Sequence, residues 1–425
     1  MDRTERELDV VVWGATGFTG ALVAEYLFER YGAEGPLSWA LGGRNVARLE
    51  AVRDGLGPGA KALPLLVGDA NDPASLHRLA ERTRVVCTTV GPYALYGSEL
   101  VAACVETGTD YCDLTGEIHW MQRMIDTWQD AAERSGARIV HTCGFDCIPS
   151  DLGTFFVQRE MQRRHGVASP HVKLRVAGFR GGASGGTIAS MLAMMEAARR
   201  DPSVMRAMNE PYSINPRGER SGPDGPERMV PAHDPDFDQW TAPFVMAGVD
   251  TKVVRRTNAL LGYAYGRDFR YDEAMLMGEG PAGAVKAAAS AAAIVGGMAA
   301  MALGPVRRLA AGRLPAPGEG PSKETRAAGY FDLRLHAAHP ADPARALRAR
   351  VTGDRDPGYG STSRMLGESA VCLAQDRLRA GGGFWTPAAA LGDALLERLV
   401  ERAGLTFSIE DPGQSEDRGP GATSR

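Results

Sequence analysis

The segment Leu8-Asp9-Val10-Val11-Val12-Trp13-Gly14-Ala15-Thr16-Gly17-Phe18-Thr19-Gly20 constrains the fold of this chain more than any other. A β-branched apolar run leads straight into three glycines spaced by three, and the Ala21-Leu22-Val23-Ala24-Glu25-Tyr26-Leu27 stretch that follows has helical composition. Strand, tight turn and helix N-terminus in that order make the first βα unit of a doubly wound parallel sheet. Gly14 permits the turn, Gly17 lets the main chain approach a phosphate without a Cβ, and Gly20 lets the helix pack close. Amides from Thr16 to Gly20 at the start of that helix would face an anion. The spacing is GxxGxxG, not GxGxxG, so the strand before and the helix after carry the reading. Gly14, Ala15, Thr16, Gly17, Phe18, Thr19 and Gly20 are expected to seat a dinucleotide pyrophosphate, the competing reading being a merely structural βα turn.

The next strand, Leu37-Ser38-Trp39-Ala40-Leu41-Gly42-Gly43-Arg44, ends without the acid that would bond the ribose hydroxyls of NAD. Arg44 stands there instead, and a guanidinium binds a 2′-phosphate that an acid would repel, so NADP(H) is the expected cofactor, with Arg48 one helical turn on as a helper. The plainer alternative for Arg44 is a solvated arginine at a strand end. Leu63 to Asp69 reads as the third strand, with Asp69 placed to touch the adenine or, equally, to cap a helix. A fourth strand, Val85-Val86-Cys87-Thr88-Thr89-Val90-Gly91-Pro92-Tyr93, carries Gly91 and Pro92 to the ligand crevice beside ribose or nicotinamide. Two more strands, 110–116 and 137–143, flank an amphipathic run over 118–135. A turn at 144–153, with Pro149 and Ser150 in the first turn of a helix, is expected to lead into a second domain.

That second part is less legible. Residues 172–179, 252–256, 269–278, 330–337 and 346–352 read as strands of a largely antiparallel sheet, and 201–243 as a long surface loop or lid. A glycine cluster at 181–187 precedes an apolar helix, and reads either as a phosphate seat or as a flexible loop. The expected organisation is α/β: an N-terminal Rossmann-type doubly wound parallel sheet over 1–150, then a second α+β domain with a largely antiparallel sheet over 151–385. A C-terminal helix and strand at 386–410 would pack back on the body, and 411–425 would be a disordered tail.

The uncharged, Ala/Gly-rich run 287–305 lies within an apolar segment at 283–305. Ala and Gly supply little of the transfer energy that drives membrane insertion, so a span is disfavoured. A small-residue helix packed inside the protein or across a homodimer, and a surface touching lipid or an acyl chain between Lys286 and Arg307, Arg308 and Arg313, stay open. A net charge of −4 argues against a nucleic-acid partner. The charged first residues run directly into a strand with no signal peptide, so the cytoplasm is expected, with membrane association if the apolar run meets lipid. Six cysteines without a CxxC pair read as free thiols, and Cys143 and Cys147 lack the partners of a metal site; no metal is expected.

The chain resembles the saccharopine dehydrogenase-like oxidoreductases, and within them the mycobacterial-type trans-acting enoyl reductases. The resemblance rests on the Gly14–Gly20 turn, on Thr88-Thr89-Val90-Gly91-Pro92-Tyr93, on Asp110-Tyr111-Cys112-Asp113-Leu114-Thr115-Gly116-Glu117, and on Cys143-Gly144-Phe145-Asp146-Cys147-Ile148-Pro149-Ser150-Asp151-Leu152-Gly153. Segments 317–322, 356–360 and 386–396 extend it nearly to the C-terminus. It implies reduction by NADPH of an α,β-unsaturated acyl thioester held on a carrier protein or CoA, with a polyketide synthase as partner. The alternatives are a saccharopine-type imine oxidoreductase, with Arg175 and Arg180 among its carboxylate-binding cations, and a non-catalytic NADP-binding scaffold at a membrane. An enolate formed in such a reduction needs a hydrogen-bond donor and a proton source. Tyr93, next to Gly91-Pro92, is the first candidate, against a tyrosine that only packs there. Tyr111, Glu117, His141 and Asp146, each near a strand end, are the others, with a core role for His141 as its alternative.

Overall fold

The computed structural model describes residues 5–181, 185–302 and 320–410. Two seven-stranded sheets organise it. The first contains β1 (Leu8–Trp13), β2 (Trp39–Gly43), β3 (Leu65–Val67), β4 (Thr83–Thr88), β5 (Asp110–Cys112) and β6 (Arg138–Val140). The second contains β7 (His171–Arg180), β8 (Ala232–Asp234), β9 (Gln239–Ala242), β10 (Arg270–Gly278), β11 (Tyr330–Ala337), β12 (Leu347–Gly353) and β14 (Leu405–Glu410). The remaining strand, β13 (Gly383–Trp385), returns from near the C-terminus to become the outer strand of the first sheet.

All pairings in the first sheet are parallel, in the order β13-β6-β5-β4-β1-β2-β3. Its central strands are buried, as a sheet covered on both faces requires, except for Asp9 in β1 and Arg84 in β4, both half-buried near the strand starts. Helices Pro73–Glu81, Ser98–Thr107 and Ile118–Ser135 supply the apolar layer on one face. Helices Phe18–Tyr31 and Thr362–Gln375 cover the other. Strand order reverses between β1 and β4, which opens the ligand crevice of such folds at the carboxyl ends of those two strands.

The second sheet runs β14-β12-β11-β7-β10-β9-β8 and is antiparallel except where β10 lies parallel to β7. Along β11 and β12 buried and half-buried or exposed residues alternate, so one face is apolar and the other polar. Ion pairs line the polar face, including Arg350 with Asp332 and Arg175 with Asp234. Helix Ile148–His165, whose first turn holds Pro149, packs on the apolar face of β11 and β12. Glu368 ties the two halves together: it accepts bonds from Tyr26 (2.6 Å) and Tyr31 (2.7 Å) on the first helix and pairs with Arg398 (3.2 Å) of helix Pro387–Arg402.

Two expectations fail. Residues 252–256 are helix, not strand, inside Ala247–Leu260. That helix is buried on nearly every side, so it shows no polar stripe, and Val253-Val254 imitate the β-branched composition of a strand. Residues 201–243 are not one loop. Asp201 caps a helix at Pro202–Asn209, and β8 and β9 form an antiparallel edge. The expected glycine cluster is only partly visible, since 182–184 lie outside the described residues, as do 303–319, with Arg307, Arg308 and Arg313, and the tail 411–425.

Helix Gly280–Ala302 carries the Ala/Gly-rich run. Gly283, Ala287 and Ala291 form a buried stripe, while Val285, Val295 and Met298 are exposed. Among the described residues it is the one helix long and apolar enough to cross a membrane, with a mean hydropathy of 1.4 over Gly280–Ala300.

Candidate functional site

The glycine turn sits at the crevice. Gly14 adopts φ +90°, and a Cβ there would stand 2.6 Å from Val90 Cγ2. A Cβ on Gly20 would lie 2.2 Å from the Gly14 carbonyl oxygen and 2.8 Å from Thr89 Oγ1, so the first helix approaches the strand as only glycine allows. Gly17 differs: it is exposed, extended at φ −83° and ψ 163°, and its nearest contact for a Cβ is the Gly14 oxygen at 3.3 Å. The glycine there keeps open a concavity that the protein itself does not fill.

The Gly17 amide donates to Gly14 O and the Ala21 amide to Gly17 O, so the amides of Phe18, Thr19 and Gly20 precede the first helical bond. No side chain caps this helix. Ala15 is buried behind the turn, whereas Thr16, Phe18 and Thr19 are half-buried. Phe18 packs edge-on against Tyr359 at 5.2 Å, and the Arg326 guanidinium lies 5.5 Å over its ring, adding a positive charge beside the turn. These residues fit a dinucleotide: a cradle a Cβ would obstruct, an uncapped helix start and a nearby cation.

Arg44 follows β2, exposed, with no hydrogen bond or ion pair holding its side chain among the described residues. Arg48 is likewise exposed one turn on. Asp69 follows β3 half-buried, its carboxylate accepting from the Asn71 amide at 2.9 Å, so it is engaged in its own turn. Gly91 is exposed and Pro92 half-buried; a Cβ on Gly91 would lie 3.4 Å from Ser190 Oγ of helix Gly185–Arg200.

Glu117 organises that rim. Its buried carboxylate accepts from the amides of Tyr93 (2.7 Å) and Ala94 (2.9 Å) and from Ser190, fixing the segment after Pro92. Burial raises its pKa, opposed by those three bonds.

Tyr93, Tyr111 and His141 do come together, around a residue that sequence reasoning quoted but gave no role, Asp113. They meet inside the protein. Tyr93 is 3% exposed, its hydroxyl bonded to Thr88 O (3.2 Å) and reached by the Leu114 amide (3.5 Å), its ring against Trp120. Tyr111 donates to Asp113 Oδ2 at 2.9 Å, and His141 Nδ1 lies 2.7 Å from the same oxygen. Asp113 Oδ1 accepts the Thr115 and Thr142 amides, holding Thr142 at φ +62°, a left-handed conformation costly for a β-branched residue. Burial, then the Asp113 charge, pushes both tyrosine hydroxyls well above their usual range, so neither ionises near neutrality. The His141 ring is enclosed by Tyr111, Trp120 and Phe384.

Asp146 stands apart. It lies half-buried in the loop after β6, and burial pushes its carboxyl up to about 6. Its neighbour Phe145 is tied to the far side of the glycine turn: the Phe145 amide donates to Thr362 Oγ1, and Thr362 follows the turn that carries Tyr359 against Phe18. Behind it are Cys147, Asp250 and Glu273. Sequence reasoning missed Asp250 because its helix is buried all round. It missed Glu273 because nothing in a strand pattern separates a buried acid from its solvent-facing neighbour Asp272. Ser190 carried no signal, whereas the strand-end position of Asp113 could have marked it.

Residues 10–140 match the family described as the saccharopine dehydrogenase NADP binding domain. A trans-acting enoyl reductase of Mycobacterium ulcerans is 40% identical over 425 residues, covering 94% of this chain and 97% of the relative, and one of Mycobacterium leprae is 39% identical with the same coverage. A Mycobacterium tuberculosis relative, provisionally named a trans-acting enoyl reductase, is 44% identical over 416 residues, again with 94% and 97% covered. In fold the chain is similar to apo saccharopine dehydrogenase (L-Glu forming) from Saccharomyces cerevisiae, with a TM-score of 0.52 at 13% identity, covering 95% of this chain and all of that one. With an uncapped glycine turn at the switch point of its parallel sheet and relatives of that name along nearly its whole length, the chain belongs to the trans-acting enoyl reductase family of saccharopine dehydrogenase-like, NADP-dependent oxidoreductases.

Proposed function

We propose that this protein reduces an α,β-unsaturated acyl thioester with NADPH, the acyl group arriving on a carrier protein or CoA from a polyketide synthase. The observation that carries the reading is the 39–44% identity to trans-acting enoyl reductases over 94% of the chain. The glycine turn supports it from the structure.

In this reading the amides of Phe18, Thr19 and Gly20 hold the pyrophosphate and Arg44, assisted by Arg48, the 2′-phosphate. Asp69 stands on the adenine side and Gly91 and Pro92 on the nicotinamide side. NADPH supplies the hydride when bound; the protein's tasks are to orient the thioester, exclude water and neutralise the charge that develops on its oxygen. Glu117 acts through position, fixing the Pro92–Ala94 rim through two backbone amides. Of the two cations of the saccharopine-type alternative, Arg175 is committed to Asp234 and Asp272, whereas Arg180 is exposed at the end of β7; that reading stays second to the enoyl one on the identity to the relatives.

The exposed apolar side of helix Gly280–Ala302 belongs to the same reading as a lipid-facing surface of a cytoplasmic enzyme, given Lys286 within it and the arginines that follow in sequence. Flotation with anionic vesicles, lost on Val285→Ser with Met298→Ser, tests it; no flotation of the unmodified protein removes it.

The reaction is tested with NADPH deuterated on either face of nicotinamide C4 and unsaturated thioesters on CoA and on a carrier protein. Deuterium at the β carbon of the saturated product is expected. NADPH binding without label transfer to any such thioester would overturn the proposal.

A further inference from the structure

Asp250 and Glu273 come from separated stretches of sequence and touch behind the loop that follows β6, and Asp146 in that loop lies near enough for its charge to act on Asp250. Cys147 Sγ donates to Asp250 Oδ1 at 3.4 Å, the Asp250 and Glu273 carboxyls contact one another, and Tyr271 donates to Glu273 Oε1 at 2.6 Å. Ser150 also bonds Glu273. Two buried carboxyls in contact must share a proton, since two carboxylates would offer only acceptors. Glu273 is 7% exposed and its Oε2 finds no conventional donor, which a proton held between the two acids explains.

The far end of this chain of acids is open. Glu273 and Tyr271 line a cavity of about 480 Å³ at the edge of β10, together with Glu227 and Arg255. On the other side stands Asp146, half-buried in the loop after β6, with no hydrogen bond holding its carboxyl among the described residues.

We propose that Asp146, Asp250 and Glu273 form a proton relay leading from the cavity at the edge of β10 to the end of β6, with Asp146 the donor to the substrate α carbon. The proposal rests on the enoyl-reduction reading, which consumes one proton per hydride. After hydride addition at the β carbon, the former C=C pair resides in an enolate on the thioester oxygen. Collapse of that enolate forms the α C–H bond with the Asp146 proton and leaves its carboxylate. One proton then passes from the Asp250–Glu273 pair to Asp146 through a bridging water, as no direct hydrogen bond joins them, and solvent in the cavity returns one to Glu273. One hydride and one proton enter, and the saturated thioester leaves.

The surroundings suit this. Burial raises Asp146, Glu273 and Asp250 above the ordinary carboxyl range, the first to about 6 and the second to about 7. Glu227 raises Glu273 further, and among the groups facing the pair the cation Arg255 is held by Asp224 and Glu227. Tyr271 and Cys147 remain neutral, both raised by burial.

Infrared spectroscopy of the protein alone gives the first test. Carbonyl bands of protonated, buried carboxylic acids are expected at pH 7, shifting in deuterated water; Asp151 contributes one of them, so the component that belongs to the pair is the one lost in Asp250→Asn and Glu273→Gln and kept in Asp151→Asn. Kinetics give the second: Asp146→Asn and Glu273→Gln should lower kcat by 10²-fold or so, the scale of general acid catalysis, at little change in KM. Glu273→Gln should enlarge the solvent deuterium isotope effect, and Glu273→Asp should restore most of kcat. Absence of an infrared component lost in Asp250→Asn and Glu273→Gln, or an unchanged kcat, pH profile and isotope effect in Glu273→Gln, would overturn the relay. If label from NADPH reaches the β carbon normally in that variant, the enoyl reading stands without the relay. If it never does in the unmodified protein, the enoyl reading falls and, with it, Asp146 as donor to that substrate.

Discussion

Gly17 and Gly20 sit three residues apart in one turn, and the structure assigns them opposite tasks that a pair of alanine substitutions separates. Gly17 already has an extended backbone that alanine adopts without strain, and its Cβ would meet nothing closer than 3.3 Å. Alanine is a poorer N-cap than glycine, but it also restricts the unfolded chain; the two effects oppose each other, each below about 1 kcal/mol. With the Gly14 oxygen giving way by a few tenths of an ångström in this exposed turn, folding stability should therefore move by less than about 1 kcal/mol. The same methyl group, however, stands where the pyrophosphate must approach the amides of Phe18, Thr19 and Gly20. Losing one charge-assisted bond costs about 1.5–3 kcal/mol, or roughly 10- to 150-fold in Kd. Gly20→Ala puts its methyl 2.2 Å from the Gly14 oxygen, so the helix or the turn must shift. Overpacking of that kind costs about 1–3 kcal/mol, of which helix propensity returns up to about 1 kcal/mol. Calorimetric binding of NADP+ and denaturant midpoints of the unliganded protein read the two quantities separately. Gly17→Ala should weaken binding at constant midpoint, and Gly20→Ala should lower the midpoint. Unchanged affinity in Gly17→Ala, or a midpoint loss equal to that of Gly20→Ala, would refute the pyrophosphate assignment.

Arg44→Ala should weaken NADPH binding by about tenfold, near the lower end of a charged hydrogen bond because the site is exposed, while leaving NADH binding and stability unchanged; equal losses for both cofactors would sink the 2′-phosphate role. Tyr93→Phe removes an inward hydroxyl bonded to Thr88 O, so a stability loss of about 0.5–1.5 kcal/mol with kcat within a few-fold is expected. A hundredfold fall in kcat at constant stability would instead make that hydroxyl catalytic. Asp151, buried and held by Thr257 and the Ala388 amide, is pushed from 3.8 up to about 7. The folded protein then binds more protons than the unfolded chain between those values, so stability should decline as pH rises from about 4 to 7. Denaturant midpoints across that range should fall less steeply in Asp151→Asn, and an unchanged slope would exclude Asp151 as a source.

The residues of the first 145 positions dictate most of the first sheet, because the inner parts of its central strands, residues 10–13 and 85–87, are continuous apolar runs, and Gly14 and Gly20 meet steric demands that are local to one βα turn. The two glycines whose Cβ would collide do so with Val90, Thr89 and Gly14 itself, so the motif announces its own geometry. Arg44 was legible for the same reason: a strand end in a doubly wound sheet has a fixed relation to the crevice.

Direction of side chains was not legible. Tyr93, Tyr111 and His141 could be placed near strand ends, but whether they faced ligand or core depended on helix Ile118–Ser135 laying Trp120 against Tyr93 and His141, and on Asp113 collecting the polar atoms of Tyr111 and His141. The seventh strand, Gly383–Trp385, is too short to carry a pattern, and only packing against β6 selects it. Helix Ala247–Leu260 was misread because burial on all sides erases periodicity. Local sterics and periodicity thus set what the sequence determined by itself: the glycine turn, the parallel strands and the charge at the end of β2. Tertiary structure decided what depends on approach between distant segments: the inward turn of Tyr93, the Asp113 hub, and the contact of Asp250 with Glu273 behind the loop that carries Asp146. A buried polar group finds its partner only when the chain has folded, and no spacing along the sequence records which partner that will be.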